Sequence, residues 1–393
     1  MENKKNINKL YIVIIIISIL LISLSGYVIY NNAISNNGVP SDDKLILESY
    51  SVIHETKFGG VYIKITIDDF NKLGFKYGDS VNVKFSNGYE LLDLPYYNGY
   101  YVDIDESLLI AYPGYDYIKV AVNYGADLWL TANLNENDTA TITLNESGKY
   151  LKIQNARDIH YTDTQGNIPD EVFGNFRNVI VGNIKDNILY RSASPSDNSY
   201  NRSPVVDRLI KEVGVNYIIN LSDSEDDLKE EINKDDFNSP YFLSLYNNNR
   251  VLALSMNMQF KEQSFKDSLV KALTTMANNE GPYLIHCVEG KDRTGYVLMV
   301  IESLMGASYK EMVDDYMVTY KNYYNITKDS DIERYETIKE KNIDLMLHYI
   351  IGDENKTKDL TKINNYSSYA KEYLLMVGMS EDNINKLINK LSQ

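Results

Sequence analysis

The sequence predicts two folded parts of different class: a small, mostly-β domain, followed by a larger α/β domain with a central sheet flanked by helices. Three observations predict this. In the region 45–156 apolar residues alternate with polar ones, the period of half-buried strands. Beyond about residue 175, short apolar runs alternate with stretches of helical spacing, the order that builds a sheet covered by helices. Between one such run and one such stretch sits a polar decapeptide, His286-Cys287-Val288-Glu289-Gly290-Lys291-Asp292-Arg293-Thr294-Gly295, which holds the only cysteine in 393 residues.

Composition sets the outer bounds. With 44% hydrophobic and 24% charged residues the chain is globular rather than disordered, and its length allows about two domains. A single cysteine allows no internal disulfide. The net charge of −16 argues against nucleic acid or an anionic membrane surface as the main partner, so any anion site must be a local positive focus.

At the start, Lys4, Lys5 and Lys9 precede Leu10 to Tyr30, a stretch without a charge that is long enough to span a bilayer. Residues 1–9 are expected to be a cytoplasmic N-terminus, 10–30 a transmembrane anchor or signal peptide, and 31–44 a linker. Lysines before the span place everything after it outside the cell. The expectation is therefore a single-pass membrane protein with its folded parts outside, or a secreted one if the segment is cleaved near Gly26 or Ala33.

In the β region, Val81, Val83 and Phe85 alternate with polar residues and run into Asn87-Gly88, a strong hairpin signal. Phe75, Asp79, Val81, Val83 and Phe85 share their spacing with Leu134, Asp138, Ala140, Ile142 and Leu144, which reads as a repeated turn-plus-strand unit in a small barrel or sandwich. Between the copies lies a tyrosine-rich stretch that includes Tyr96, Tyr97, Tyr100, Tyr101, Tyr112 and Tyr115. These tyrosines are read as packing the edges of the β domain rather than as a binding surface, and the domain's partner is not legible.

The polar, turn-rich stretch from 157 to 175 marks the boundary, and the second domain runs over 157–393. Ile188 to Ser192 reads as a strand. A helix follows with Ser203 as cap and Pro204 as first residue, running to Gly214. Val215 to Leu221 and Val251 to Met256 read as further strands, and Glu262 to Ala277 as the helix that leads to the decapeptide. After it, Ser308 with Glu311 forms a capping box that opens another helix, and the chain from Asp331 onward is helical.

The chemistry lies in the decapeptide. Tyr283-Leu284-Ile285 is a buried strand, and Val297, Leu298, Val300, Ile301 and Leu304 recur at helical spacing until Gly306. A loop that feeds a helix N-terminus aims unpaired backbone N–H groups and the positive end of the helix dipole at one point, where a phosphate dianion is best held. The N–H groups of Val288, Glu289, Gly290 and Lys291 form that cradle, with Gly290 letting the backbone close around the oxyanion. The same field stabilises a thiolate, which makes Cys287 the nucleophile. Arg293 grips two phosphate oxygens with its planar fork, a geometry lysine cannot copy. The Thr294 hydroxyl is expected to bond the sulfur, His286 to orient the Cys287 backbone, Lys291 to add charge at the mouth, and Asp292 to protonate the leaving oxygen.

This decapeptide resembles the signature loop of the cysteine-dependent protein tyrosine phosphatase superfamily, in its His-Cys-x-x-Gly-Lys-x-Arg-Thr-Gly form. It is most similar to bacterial tyrosine and dual-specificity phosphatases, some of which also accept phosphoinositides. With Tyr190-Arg191-Ser192 and Asp315-Tyr316, the resemblance spans roughly 170–393, and it implies a tyrosine-phosphatase-like α/β fold. It also adds Arg191 as a phosphate-site candidate, with a structural ion pair as the equal alternative. Many members carry their general-acid aspartate in the loop after the penultimate strand. Here that loop, Asn257-Met258-Gln259-Phe260, has no acid. Asp292 is therefore the expected acid, with Asp223, Glu225, Asp235 and Asp236 as alternatives.

The expected function is phosphomonoester hydrolysis through a phosphocysteine, on a phosphotyrosine protein or a small phosphomonoester. Glu289 at the loop's edge repels a polyphosphorylated ring, which ranks phosphoinositide or inositol phosphate second. A cell-surface binding protein with a degenerate phosphatase module is the alternative of another class. No metal or cofactor is implied.

Overall fold

A computed structural model describes residues 45–103, 105–163 and 166–392. In the first part, β1 (Ile46–Glu55), β2 (Gly60–Thr66), β3 (Ser80–Phe85), β4 (Glu90–Tyr97), β5 (Ser107–Ile110), β6 (Tyr117–Val122) and β7 (Thr139–Glu146) close into a barrel. Its strand order is β1-β2-β6-β5-β4-β3-β7, antiparallel throughout except for the parallel pair β4–β5. Alternation places Val61, Ile63, Val81, Val83, Phe85, Val120 and Ile142 in the interior.

The repeat in the sequence has a geometric counterpart. β3 and β7 are antiparallel neighbours with Val81 opposite Leu144, Val83 opposite Ile142 and Phe85 opposite Ala140, the register a local two-fold axis produces. Each strand is preceded by a turn that an aspartate closes. Lys76 N donates to Asp79 at 2.8 Å and Asn135 N to Asp138 at 2.9 Å.

The second part is a five-stranded sheet in the order β11-β10-β12-β9-β8, built from β8 (Arg177–Asn178), β9 (Leu189–Ser192), β10 (Tyr217–Asn220), β11 (Val251–Ala253) and β12 (Tyr283–His286). All pairs are parallel except the edge pair β8–β9. Ile219 and Ile285 face the core that receives the helices Gln263–Asn278 and Asp292–Leu304. Ile218 and Leu284 face the opposite core, with the helix Ser203–Glu212. Being buried on both faces, the strands read as continuous apolar runs. The central strand β12 ends in the cysteine loop, at the carboxyl edge where open α/β sheets bind ligands.

Several elements differ from expectation. Arg202, not Ser203, is the N-cap of its helix, because the Ser203 hydroxyl donates to Asn198 Oδ1. The acidic segment after β10 is a helix, Glu225–Ile232, since Ser224 and Asp227 close a capping box. The strand read over Val251 to Met256 stops at Ala253, and Ser255 turns the chain with φ +46°. The expectation of a single-pass membrane protein is corrected: among the described residues no helix is long and apolar enough to cross a membrane. The apolar stretch 10–30, on which that expectation rested, lies outside the described residues.

The two parts touch. The helix Leu151–Arg157 packs on the helix Ile332–Ile338, where Arg334 Nε donates to Asn155 O at 2.8 Å. The connecting segment then runs along the side of the cysteine loop, with Thr162 N donating to Tyr323 O at 2.7 Å.

Candidate active site

The loop 287–291 is held from behind by its carbonyls. Val288 O accepts from Ser194 N at 3.0 Å. Glu289 O accepts from the Tyr323 hydroxyl at 2.8 Å and from Asn175 Nδ2 at 3.2 Å. Gly290 O accepts from Arg191 Nη2 at 2.8 Å. In a planar trans peptide the N–H points opposite to the C=O, so the N–H groups of Glu289, Gly290 and Lys291 are turned inward, away from these partners. That is the cradle's physical origin. Gly290 is needed twice over, since its φ is +67° and a Cβ there would lie 2.1 Å from Ser192 O.

Cys287 sits at the base of the loop, 3% exposed. His286 is buried beneath it, with Nδ1 3.2 Å from Cys287 O. Against a carbonyl that nitrogen must be the donor, and burial brings the ring down to about 4, so it is neutral near pH 7. The Arg293 guanidinium is steered by Nη1 donating to Met256 O at 3.1 Å, in the turn after β11. Thr294 departs from expectation. It begins the buried face of the following helix, and its hydroxyl has no hydrogen-bond partner at all, the Cys287 sulfur included.

The charges at the rim pair among themselves. Lys291 Nζ lies 3.0 Å from Glu289 and 3.1 Å from the Tyr324 hydroxyl. Burial alone would push Lys291 down, but Asp292, Tyr320 and Glu289 outweigh it and hold the ammonium well above its ordinary value. Burial likewise works to raise Glu289, and Lys291 with the hydroxyls of Tyr161 and Tyr324 keeps it an anion below the usual range. Tyr161, from the connecting segment, donates directly to that carboxylate. Asp292 opens the helix, half exposed, and accepts from the Tyr316 hydroxyl at 3.2 Å.

Of the two readings open for Arg191, phosphate ligand or structural ion pair, the structure has the ion pair. Arg191 is 1% exposed and lies under the loop, donating to Gly290 O and paired with Asp315. Arg177 Nε reaches the same carboxylate at 2.8 Å. Burial tends to raise Asp315, and the two guanidinium groups overcome it and hold the carboxyl far below its ordinary value. Glu302 alongside is pushed well up by burial and by Asp315. Arg191 thus shapes the cradle rather than lining it. Asn175 and Tyr323 hold loop carbonyls in the same way, and Arg177 Nη1 fixes Asn175 Oδ1 at 2.8 Å; none of the three was singled out from the sequence, since they come together only in space.

Of the alternative acids, Asp223 is close to the chemistry. It is anchored by Asn220 Nδ2 at 2.7 Å, its carbonyl accepts from Ser255 N at 3.0 Å, and burial pushes its carboxyl up against the opposing pull of Arg293. Glu225 belongs to the exposed start of its helix, and Asp235 and Asp236 lie exposed in the turn beyond it. Among the described residues no group of His, Cys, Asp and Glu is arranged to hold a metal ion.

Comparison with known proteins places the chain in a family. The profile described as "Tyrosine phosphatase family" matches residues 150–393. No curated protein matches. Among solved structures, an uncharacterized conserved protein from Thermotoga maritima is 25% identical over 24% of this chain and 35% of its own, with a TM-score of 0.21. This chain therefore spans about a third of that protein's length. The core catalytic domain of the PP-IP phosphatase SIW14 from S. cerevisiae, in complex with citrate, is 20% identical over 47% of this chain and 94% of its own, with a TM-score of 0.27. On the profile match over more than half its length, the chain belongs to the tyrosine phosphatase family.

Proposed function

We propose that this protein hydrolyses phosphomonoesters, phosphotyrosine first, through a phosphocysteine formed on Cys287. The observation that carries the reading is the set of three successive loop carbonyls pinned outward, which leaves inward N–H groups around a thiol at a helix N-terminus. In the first step the Cys287 thiolate attacks phosphorus in line, the bond to the tyrosine oxygen breaks, and Asp292 gives that oxygen its proton. In the second, water attacks phosphorus, Asp292 takes the water's proton, and the S–P bond breaks to release phosphate. Arg293 and the loop N–H groups hold the phosphoryl oxygens throughout.

The paired rim favours a single phosphate. Lys291 is committed to Glu289, so a second phosphate at the loop's rim would meet a carboxylate and an ammonium that is already paired. For the acid there is a second reading: Asp223 lies within the field of Arg293, and burial pushes its carboxyl above its ordinary value.

The test is turnover of an aryl phosphate by the full chain with a chelator present, beside Cys287→Ser. Turnover that survives the chelator and disappears in the variant supports the cysteine mechanism; turnover that persists in Cys287→Ser overturns it. Asp292→Asn and Asp223→Asn then divide the acid role, since only the true acid's variant loses the basic limb of the kcat profile. A preference of tenfold or more, about 1.4 kcal/mol, for an inositol phosphate would reverse the substrate ranking.

A further inference from the structure

Lys291 and Asp292 do more than complete the loop. They also form one end of a groove of about 1090 Å³ that runs between the catalytic domain and the barrel. On the barrel side its walls include Leu92, Tyr101 and Tyr124, and on the catalytic side Met258, Lys261 and Tyr349. Leu92 and Tyr124 are 68% and 61% exposed, so neither side chain is there to pack a core. Tyr124 is also held at φ +49°, a left-handed backbone that costs a bulky residue energy and places its ring on this wall.

We propose that this groove is the docking track for the polypeptide on either side of the substrate phosphotyrosine, and that the barrel is the part that reads it. The inference rests on the phosphotyrosine reading above. Three observations select a polypeptide as occupant. The acid must touch the leaving oxygen, and Asp292 is a wall of the groove, so the leaving group exits the cradle on this side. The volume lies at or beyond the upper end, about 1,000 Å³, of what a single compact ligand fills. The walls mix exposed aliphatic and aromatic side chains with charges of both signs, Arg157, Lys261, Lys341 and Lys356 being balanced by as many carboxylates beyond the loop. A peptide offers partners to all of these, whereas a polyphosphorylated ring would meet as many carboxylates as cations and has nothing to set against the exposed Leu92 and Tyr124.

The experiment compares free phosphotyrosine with an extended phosphotyrosine peptide, using the full chain, Tyr124→Gly, and Leu92→Ser combined with Tyr124→Gly. Glycine relaxes the left-handed position, so the single variant removes the ring without straining the barrel. The expected result is a rise in KM for the peptide of about fivefold or more in the double variant, and a smaller rise in the single one, with kcat and KM for free phosphotyrosine unchanged. An unchanged peptide KM overturns the docking proposal while the phosphatase reading stands. So does an equal loss on both substrates in Tyr124→Gly, or a loss confined to an inositol polyphosphate. If the wild type turns over neither free phosphotyrosine nor peptide, the phosphatase reading fails first and the docking track with it.

Discussion

At Arg293 one guanidinium N–H is already spent on Met256 O, and the remaining donors of the planar fork are left for phosphate oxygens. A lysine ammonium carries its three donors on one nitrogen and cannot set two of them parallel against phosphate oxygens while a separate nitrogen holds the carbonyl. Arg293→Lys is therefore expected to lower kcat by about a hundredfold to a thousandfold, with the thermal midpoint nearly unmoved, as steady-state kinetics beside a melting curve would show. His286 sets a pH dependence of stability. Folded, it titrates at about 4 instead of 6.5, so between those values the unfolded chain binds a proton that the folded one refuses. Stability is whole above pH 6.5 and is lost as the pH falls towards 4, by roughly 3 kcal/mol at about 1.4 kcal/mol per unit. Urea titrations at pH 7 and pH 4.5 should show that loss, and His286→Asn should lose less. The residues of the loop itself were legible because their chemistry is local: strand, cradle and helix are contiguous in the chain. Arg191, open between a phosphate ligand and a structural ion pair, takes the ion pair, and the Thr294 hydroxyl does not meet the sulfur, because a residue's spacing says where its Cα lies and not which way its side chain turns.

Among the elements, β9 and the loop depend on each other through Gly290, whose Cα lies against Ser192 at the end of that strand. In Gly290→Ala the new methyl meets a backbone carbonyl, which no rotamer can avoid, and the left-handed φ adds its own cost. The loop must lift off Arg191, Asn175 and Tyr323. The variant is expected to lose at least about 2 kcal/mol of stability and about a hundredfold or more in kcat/KM. A protein that keeps full activity would show that the carbonyl clamps are dispensable. These clamps explain what the sequence hid. Asn175 precedes β8, Tyr323 ends the helix Tyr309–Tyr324, and Arg191 lies in β9, so the cradle is made by three elements that are adjacent only after folding. The elements whose signal is local fared better. Ser308 and Glu311 do close a capping box, and Asn87-Gly88 does turn the β3–β4 hairpin. The helix at Glu225 was lost in an acidic run because Asp227 stands where a capping box more often has glutamate or glutamine.

For the whole molecule, the repeat of Asp79 and Asp138 was visible as spacing, and closure of seven strands into a barrel is how that spacing is satisfied. The connecting segment was read only as a polar boundary. In the fold it is strapped across the face of the cysteine loop, with Tyr161 on Glu289 and Asp163 in a buried pair with Arg202 at 2.9 Å. Turn-rich composition marks where a chain leaves one domain, but not what the next domain does with it. Net charge acts at this scale too. With −16 overall, the protein repels a dianionic substrate at long range, while Arg293 and the inward N–H groups attract it at short range. At about 10 mM ionic strength the screening length is about 30 Å and the whole molecule's charge is felt; at about 100 mM it is about 10 Å and the cradle dominates. For phosphotyrosine, kcat/KM is therefore expected to rise about twofold between those salt concentrations, with kcat constant, the opposite of what a basic phosphatase would show. A steady fall over the same range would mean that the positive focus outweighs the rest of the surface even at low salt, and that substrate capture owes nothing to the acidic bulk of the chain.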